Sequence, residues 1–491
     1  MPENYTTIIG LEVHVQLATK SKLFCRCSTQ FGAEPNTQTC PVCLGLPGSL
    51  PVMNRQAFEL ALKTAVALNC EIPGFTKWDR KQYYYPDLPK AYQISQYDLP
   101  MSSAGYLEIA DEKGTFETKK IRITRAHLEE DAGKSIHDEA AGKGDSEIDL
   151  NRTGTPLLEI VSEPDLRSSA EAKAYLQELK LMLTHIGVSD CNMQEGSLRV
   201  DANVNLHIDT PEGKIATPIV EIKNMNSFRA VERALDYEAP RQFRVWQETG
   251  RKLGDSPKQT RGWDDAAGVT RGQRSKEESS DYRYFPDPDL VPVLISDDQI
   301  ATARKSLGEL PADLRKRYVD VYELSSYDAS VIVNQGRAVI EYFEQAASES
   351  GDPKSACNWV TQDILRLLKE NDRGIDEFEV SAKNLAGMIS AINEGTLPKP
   401  RAKEAFDLML SKGYAAQQAI EELGIEQIDE SAIVELCQEL LNKNPRIVSD
   451  VQNGKLQAVG ALIGQAKKLN PNIDPARFRE ICLELAQQTT S

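Results

Sequence analysis

Four cysteines in two close pairs, Cys25-x-Cys27 and Cys40-x-x-Cys43, stand near the start of this 491-residue chain, downstream of a carboxylate and an imidazole, Glu12 and His14. The twelve residues between the pairs let two knuckles fold back and set four thiolates at the corners of a tetrahedron, as in structural zinc sites. Two disulfides or four idle thiols are the alternatives, and a reducing compartment disfavours the first. Four thiolates leave no open coordination position, so such a metal braces the fold and does not activate water.

Acids recur elsewhere in a pattern that suits a second kind of metal chemistry. Glu12 and His14 alternate with apolar residues in Gly10-Leu-Glu-Val-His-Val-Gln-Leu17, Glu129, Glu130 and Asp131 follow His127, and Glu159 and Glu163 lie in Gly154-Thr-Pro-Leu-Leu-Glu-Ile-Val-Ser-Glu-Pro164. Carboxylates brought together on one sheet repel each other unless a cation sits among them. Oxygen donors with an occasional imidazole suit magnesium, which keeps water and bridges to nucleotide phosphates. Ala132-Gly-Lys-Ser135 resembles the end of a phosphate-binding loop, but Leu128 stands where that motif needs glycine and three acids precede it. With no dinucleotide fingerprint either, a nucleotide site must be built on a sheet face. The chain also shows no nucleophile elbow, no zinc-protease helix and no Cys-His glutaminase arrangement.

Positioning these groups falls to strands and a few helices. Alternation marks Gly10 to Leu17 and Leu198 to Ile208, whose polar face carries Arg199, Asp201, Asn203, Asn205 and His207. Asn54, Ser168 and Ser227 predict helix starts. A polar block, Asp79 to Gln93, mixes cations with tyrosines and reads either as the lining of a channel or as an irregular loop packed on the core. From Thr249 to Pro288 the composition is polar, with Arg261, Arg271, Arg274, Lys276 and Asp281 to Phe285, and reads as a long functional or disordered loop. Beyond residue 297 helical segments dominate, at Val331 to Ala347, Asn358 to Lys369, Lys383 to Ile392 and Ala402 to Leu410, and the acidic stretch Glu421 to Glu430 reads as a linker. The fold class expected is α+β: a mostly antiparallel β domain over 1–295, a helical domain over 296–420 and a small helical tail over 421–491.

The formal charge of −17 and a pI near 5.0 argue against a wide basic surface for nucleic acid, so any RNA contact is local or shared. No segment approaches the ~18 apolar residues of a membrane span, and Met1-Pro-Glu-Asn-Tyr5 opens no signal sequence, so a cytoplasmic protein is expected.

The chain resembles the B subunits of aspartyl/glutamyl-tRNA(Asn/Gln) amidotransferases. The resemblance is carried by Ile9 to Leu17, the four cysteines, Asp79-Arg-Lys-Gln-Tyr83 through Gln96, His127-Leu-Glu-Glu-Asp-Ala-Gly-Lys134, Asp149-Leu-Asn-Arg-Thr-Gly-Thr-Pro156, Gln194 to Asp201, Glu221-Ile-Lys-Asn-Met-Asn-Ser-Phe228 and Asp281-Tyr-Arg-Tyr-Phe-Pro286. It implies a cradle-shaped N-terminal domain, a helical domain, and a tail that contacts the tRNA body. It also implies a reaction: ATP with magnesium phosphorylates the side-chain carboxylate of Glu-tRNA(Gln) or Asp-tRNA(Asn), and ammonia from glutamine displaces the phosphate. An amidase A subunit would release the ammonia, a small C subunit would clasp the pair, and mischarged tRNA would be the substrate.

By position, the resemblance assigns Glu12, His14, Glu130 and Glu159 to the surroundings of magnesium, with His14, Glu130 and Glu159 as ligands and Glu129 and Asp131 close by. Arg152, Lys223, Asn224 and Arg283 would bind the nucleotide. Lys81, Tyr83 and Lys90 would lie along the ammonia path, and Cys25, Cys27, Cys40 and Cys43 would hold zinc. The competing reading is a non-catalytic, zinc-braced, tRNA-binding scaffold.

Overall fold

In the computed structural model, which describes residues 5–111, 114–137, 146–273, 282–425, 430–470 and 472–488, the chain forms two compact units, Met1–Asp313 and Leu314–Ser491. Arg274, Lys276, Asp281 and residues 426–429 of the acidic stretch lie outside the described residues.

A nine-stranded sheet builds the first unit. Its strands are β1 (Tyr5–Gln16), β2 (Ser102–Ile109), β3 (Lys119–Glu130), β4 (Pro156–Ser162), β5 (Leu198–Thr210), β6 (Gly213–Ala216), β7 (Val220–Lys223), β8 (Gln259–Asp264) and β9 (Val269–Gly272). Their order is β9-β8-β7-β5-β1-β4-β3-β2, with β6 hairpinned onto β5. All pairs are antiparallel except β7 with β8. The expected α+β class, with a mostly antiparallel N-terminal sheet followed by helices, is what the structure has.

Alternation sorts the two faces of this sheet. Leu11, Val13, Val15, Leu158, Ile160, Val200, Ala202 and Ile222 point into one core. Three helices share that core: α1 (Arg55–Ala67), α2 (Ser169–His185) and α3 (Phe228–Thr249). Each starts where a side chain satisfies an otherwise unpaired amide: Asn54 accepts from Gln56 N and Ala57 N, Ser168 from Glu171 N, and Ser227 from Ala230 N.

One irregularity decides what the other face displays. The pairing of β3 with β4 slips between Ile123 and Arg125. Before the bulge the odd-numbered Ile121 and Ile123 are buried; after it the even-numbered Ala126 and Leu128 are. The extra residue reverses the inward parity and turns His127 and Glu129 onto the polar face.

Two expectations need correction here. The stretch Thr249 to Pro288 is not one long loop, because β8 and β9 extend the main sheet and Phe285–Pro286 pairs with Asp79–Gln82. Its polar composition hid strands whose contacts are polar: Arg261 donates to Thr270 Oγ1 and O, and the buried Glu238 of α3 accepts from Thr270 Oγ1. The block Asp79 to Gln93 likewise contains two paired strands, Asp79–Gln82 and Tyr92–Ser95.

The first unit also runs past the boundary expected at 295, since α4 (Asp297–Leu307) packs on α1 and buries Ala303 in the same core. Among the described residues the second unit is helical from Leu314 onward. The helix expected over Val331 to Ala347 is two, Ser326–Val333 and Arg337–Ser350, broken at Gly336 with φ 92°. The last five helical segments among the described residues, from Glu430–Lys443 to Pro475–Gln488, close around their own core of Ile433, Cys437, Leu462, Phe478 and Cys482.

Candidate active site

Register lines up the polar face as a row across four strands. Arg199 on β5 pairs with His14 on β1, His14 with Glu159 on β4, and Glu159 with His127 on β3. Glu129 lies two residues beyond His127 on the same face. His14 Nε2 is 3.7 Å from Glu129 Oε1 and 3.6 Å from Glu159 Oε2, and the three donors lie within 4.8 Å of one another. One imidazole and two carboxylates, at a separation that a single ion spans, fit a magnesium-class cation.

The electrostatics of the trio are those of a site built around positive charge. Burial pulls the His14 imidazole down, but hydrogen bonding to Glu159 and the charges of Glu129 and Glu159 outweigh it and hold it above its ordinary value. Burial opposes the ionised form of Glu159, yet His127, His14 and Lys81 keep its carboxyl well below the usual range. A short sheet of Asp79–Gln82, Tyr92–Ser95 and Phe285–Pro286 closes over this end of β3, where Ser95 Oγ lies 3.3 Å from Glu129 Oε2. It brings Lys81 Nζ 4.8 Å from the Tyr282 ring and 5.8 Å from that of Tyr83. Burial and the charge of Glu129 push the Tyr83 and Tyr284 hydroxyls up, so both stay protonated beside the acids.

Glu130 does not join this trio, contrary to the expectation that it would hold the cation with His14 and Glu159. As the neighbour of Glu129 on a strand it points to the opposite face. There its carboxylate pairs with Lys90 Nζ and accepts from Ile94 N at 3.1 Å. Glu12 stays on the site face one register step away, accepting from Asn203 Nδ2 at 2.7 Å. Asp131 turns aside to Arg199 Nη2 at 2.9 Å, Gln16 Nε2 at 2.8 Å and Arg152 Nε at 3.7 Å.

Beside the trio opens a cavity of about 780 Å³, lined among others by Gln16, Arg152, Arg199, Asp201, Lys223 and Asn224. Three of the four residues expected to bind nucleotide therefore face one space; Arg283 is not among its lining residues. Arg152 is fixed by the carbonyls of Ala132 and Gly133, and Lys223 by Asp201 Oδ2 at 2.6 Å. The cavity is large enough for a nucleotide, and its lining mixes the cations Lys134, Arg152, Arg199 and Lys223 with the acids Asp149, Glu195 and Asp201.

Sequence reading gave no role to His127, Arg199, Asp201 or Lys22. The alternation of Leu198 to Ile208 already set Arg199 and Asp201 on a polar face, and pairing with β1 was the missing fact. Lys22, followed by Leu23 and Phe24, gave no signal.

The four cysteines converge as expected, their sulfurs within 4.8 Å of one another. Cys40 and Cys43 Sγ are 3.9 Å apart, against ~3.8 Å for the edge of a tetrahedron with zinc–sulfur bonds of ~2.3 Å. Hydrogen bonding from Cys25 is the main force lowering the Cys43 thiol, to about 4; burial opposes it and the charge of Lys22 assists. Lys22 is fully buried, with Nζ 2.7 Å from Gln38 O and 3.7 Å from Cys43 Sγ. A buried ammonium beside a sulfur needs that sulfur to be anionic, which favours a metal-thiolate centre over four thiols. The clip also touches the Lys90 limb: Gly45, at φ 69°, ends the turn Pro41–Leu44, and a Cβ there would fall 2.4 Å from Lys90 Cγ.

Comparison of the sequence with known proteins finds relatives along most of the chain. Residues 7–301 match the GatB/GatE catalytic domain family and residues 341–485 the GatB domain family. The B subunit of the aspartyl/glutamyl-tRNA(Asn/Gln) amidotransferase of Rhodopirellula baltica is 60% identical over 98% of this chain and 96% of its own length. Its namesake in Thermodesulfovibrio yellowstonii is 47% identical over 99% of this chain and 100% of its own length. That of Moorella thermoacetica is 48% identical over 94% and 96%.

Proposed function

The chain belongs to the GatB family, the B subunits of tRNA-dependent amidotransferases, and on that premise we propose that its sheet face is where a tRNA-linked side-chain carboxylate is activated by ATP. The observation that carries this reading is the convergence of His14, Glu129 and Glu159 beside the cavity lined by Arg152, Arg199 and Lys223.

Activation is needed because ammonia cannot expel oxide from a carboxylate. In the proposed sequence a carboxylate oxygen of the esterified glutamate or aspartate attacks the γ-phosphorus of ATP, and ADP leaves. Ammonia then attacks the acyl carbon, phosphate departs, and the amide forms with loss of a proton. A divalent cation held by His14, Glu129 and Glu159 supplies charge neutralisation at the transferring phosphoryl group.

The remaining work falls to the chain's own side chains. Arg152 and Arg199 offer guanidiniums to phosphate oxygens, and Asp131 holds both in place. Lys223, Asn224 and Asp201 line the far side of the same space. To Lys81, kept between tyrosines and close to Glu159, and to Lys90, paired with Glu130, we assign the path of ammonia. Cys25, Cys27, Cys40 and Cys43 hold a structural zinc that takes no part in the chemistry. The ammonia comes from an amidase A subunit, a small C subunit completes the assembly, and residues 421–491 contact the tRNA in the cytoplasm. The activity is a carbon–nitrogen ligase reaction with glutamine as amido donor.

The test is γ-phosphate transfer from ATP in the presence of mischarged tRNA. The native complex should release ADP and phosphate in step with amide formation, and Glu159→Gln should abolish both while retaining tRNA. Undiminished turnover by that variant would reject the assignment.

A further inference from the structure

Arg125 follows the bulge in β3, and nothing in the reaction above uses it. Its neighbour Ala126 points into the core, so Arg125 stands on the polar face with His127 and Glu129. Register sets it in a second row beside the one that holds His14 and Glu159: Asp201 on β5 pairs with Glu12 on β1, Glu12 with Val161 on β4, and Val161 with Arg125. Between Glu12 and Arg125 this row presents Val161, half-buried and without a polar side-chain atom.

The guanidinium has no partner among the described residues. Nε is buried without an acceptor, and neither Nη1 nor Nη2 makes an ion pair or hydrogen bond. Arg199 and Arg152, by contrast, are held by Asp131, Lys223 by Asp201 and Lys90 by Glu130, while Lys81 lies against tyrosine rings. A partly buried guanidinium without counter-charge is costly, and the cost falls away when a ligand supplies an anion. Burial, Glu129 and Glu159 push the Tyr284 hydroxyl up and Arg125 draws it down, so Arg125 and the acids border one space.

Position decides which anion. The cavity is walled from β5 and β7, whereas Arg125 is on β3, and a strand spacing of ~4.8 Å sets its Cα roughly 14 Å from β5. It therefore approaches the trio from the side opposite Arg199. In a displacement at phosphorus the incoming oxygen arrives opposite the leaving one, so with the nucleotide in the cavity this is the side of the acceptor. A ligand lying along the row meets a cation at Arg125 and an anion at Glu12. An esterified acidic amino acid carries the complementary pair, a side-chain carboxylate and an α-ammonium; a phosphate has nothing to offer Glu12.

We propose that Arg125 binds the side-chain carboxylate of the tRNA-linked glutamate or aspartate, donating to the oxygen that does not attack phosphorus. This rests on the proposed function and names the residue that seats its substrate. The same oxygen becomes the carbonyl of the acyl phosphate and takes up negative charge when ammonia adds, so one guanidinium serves both steps.

Two measurements on the complex with its partner subunits test this. Phenylglyoxal labelling of native Arg125, read by peptide mass spectrometry, should be blocked by tRNA esterified with glutamate and not by the same tRNA esterified with glutamine. Arg125→Ala should lower tRNA-dependent ADP release at least ~100-fold without weakening ATP binding, and guanidinium ion, but not urea, should restore it. Equal protection by the two tRNAs, or a guanidinium that phenylglyoxal never reaches in the free complex, overturns the proposal. So does an Arg125→Ala complex that works at the native rate, or one whose loss guanidinium does not relieve. In each of these cases ADP release by the native complex keeps the proposed function standing, whereas its absence there removes that function instead. The labelling uses the native chain and decides the matter even if the variant does not fold.

Discussion

Glu129 and Glu130 are consecutive residues on β3 whose carboxylates serve opposite faces of the sheet, Glu129 approaching His14 and Glu130 pairing with Lys90. Strand geometry allows no other outcome, because successive side chains alternate. The two acids should separate in function. Glu129→Gln should lower tRNA-dependent ADP release at least ~100-fold, the scale expected when an electrostatic contact to a transferring group is lost. Glu130→Gln should leave ADP release within several-fold of native and reduce amide formation per ADP. Parallel assays of ADP and amidated tRNA read both quantities, and equal loss of both in the two variants would contradict the division.

The alternation that separates these acids was legible in the sequence, as were β1, β5, three helix caps and the cysteine clip. Which acid faces the site was not. Inward parity along β3 reverses at the bulge between Ile123 and Arg125, an offset set by pairing with β4 and invisible in β3 alone. A reading that treats Glu129, Glu130 and Asp131 as a single acidic run cannot assign them to three environments. The strands β8 and β9 were hidden for a related reason, since their few buried groups, Trp263 and Thr270, are too sparse to show a period. Lys22 was silent because its partner, Cys43, is brought to it only by the folded clip.

That partnership has a measurable consequence. Lys22 makes no ion pair with a carboxylate among the described residues, so its buried ammonium would offset the negative charge of a metal held by the four thiolates. Lys22→Met keeps the length of the side chain and removes the charge. Zinc should leave this variant ~10- to ~100-fold faster than the native chain, the usual scale for losing a group that supports metal ligands. Release into a chromophoric chelator follows this directly, and native rates in the variant would show the charge to be irrelevant. Chelating zinc from the native chain should lower its thermal midpoint and disturb the Lys90 limb that Gly45 touches.

Glu238 offers a test of the sheet's far edge. It is fully buried on α3, accepts two bonds from Arg241 and one from Thr270 Oγ1, and lies 3.7 Å from Arg261 Nε. Removing it strands two partly buried guanidiniums without their counter-charge. Glu238→Ala should destabilise the first unit by ~3 to ~5 kcal/mol, as breaking a buried pair does. Loss of amide-exchange protection in β8 and β9 should accompany the fall in thermal midpoint. A variant as stable as the native chain would mean that this network contributes nothing.

Asp131 lets the electrostatics of the cavity wall be read through pH. Burial raises its carboxyl, but Arg199, Arg152 and the hydrogen bond from Gln16 more than compensate and hold it below the usual range. Its folded value is thus depressed relative to the unfolded one. The stabilisation it gives is fully present above the unfolded value, ~3.9, and is lost as pH falls through the lower folded value. Asp131→Asn removes that dependence and frees both arginines from their anchor. The thermal midpoint of the variant should lie furthest below that of the native chain at neutral pH, and the gap should narrow only below about pH 4. A gap that stayed constant down to pH 3 would separate Asp131 from the charge of these arginines, and with it their proposed placement on the cavity wall.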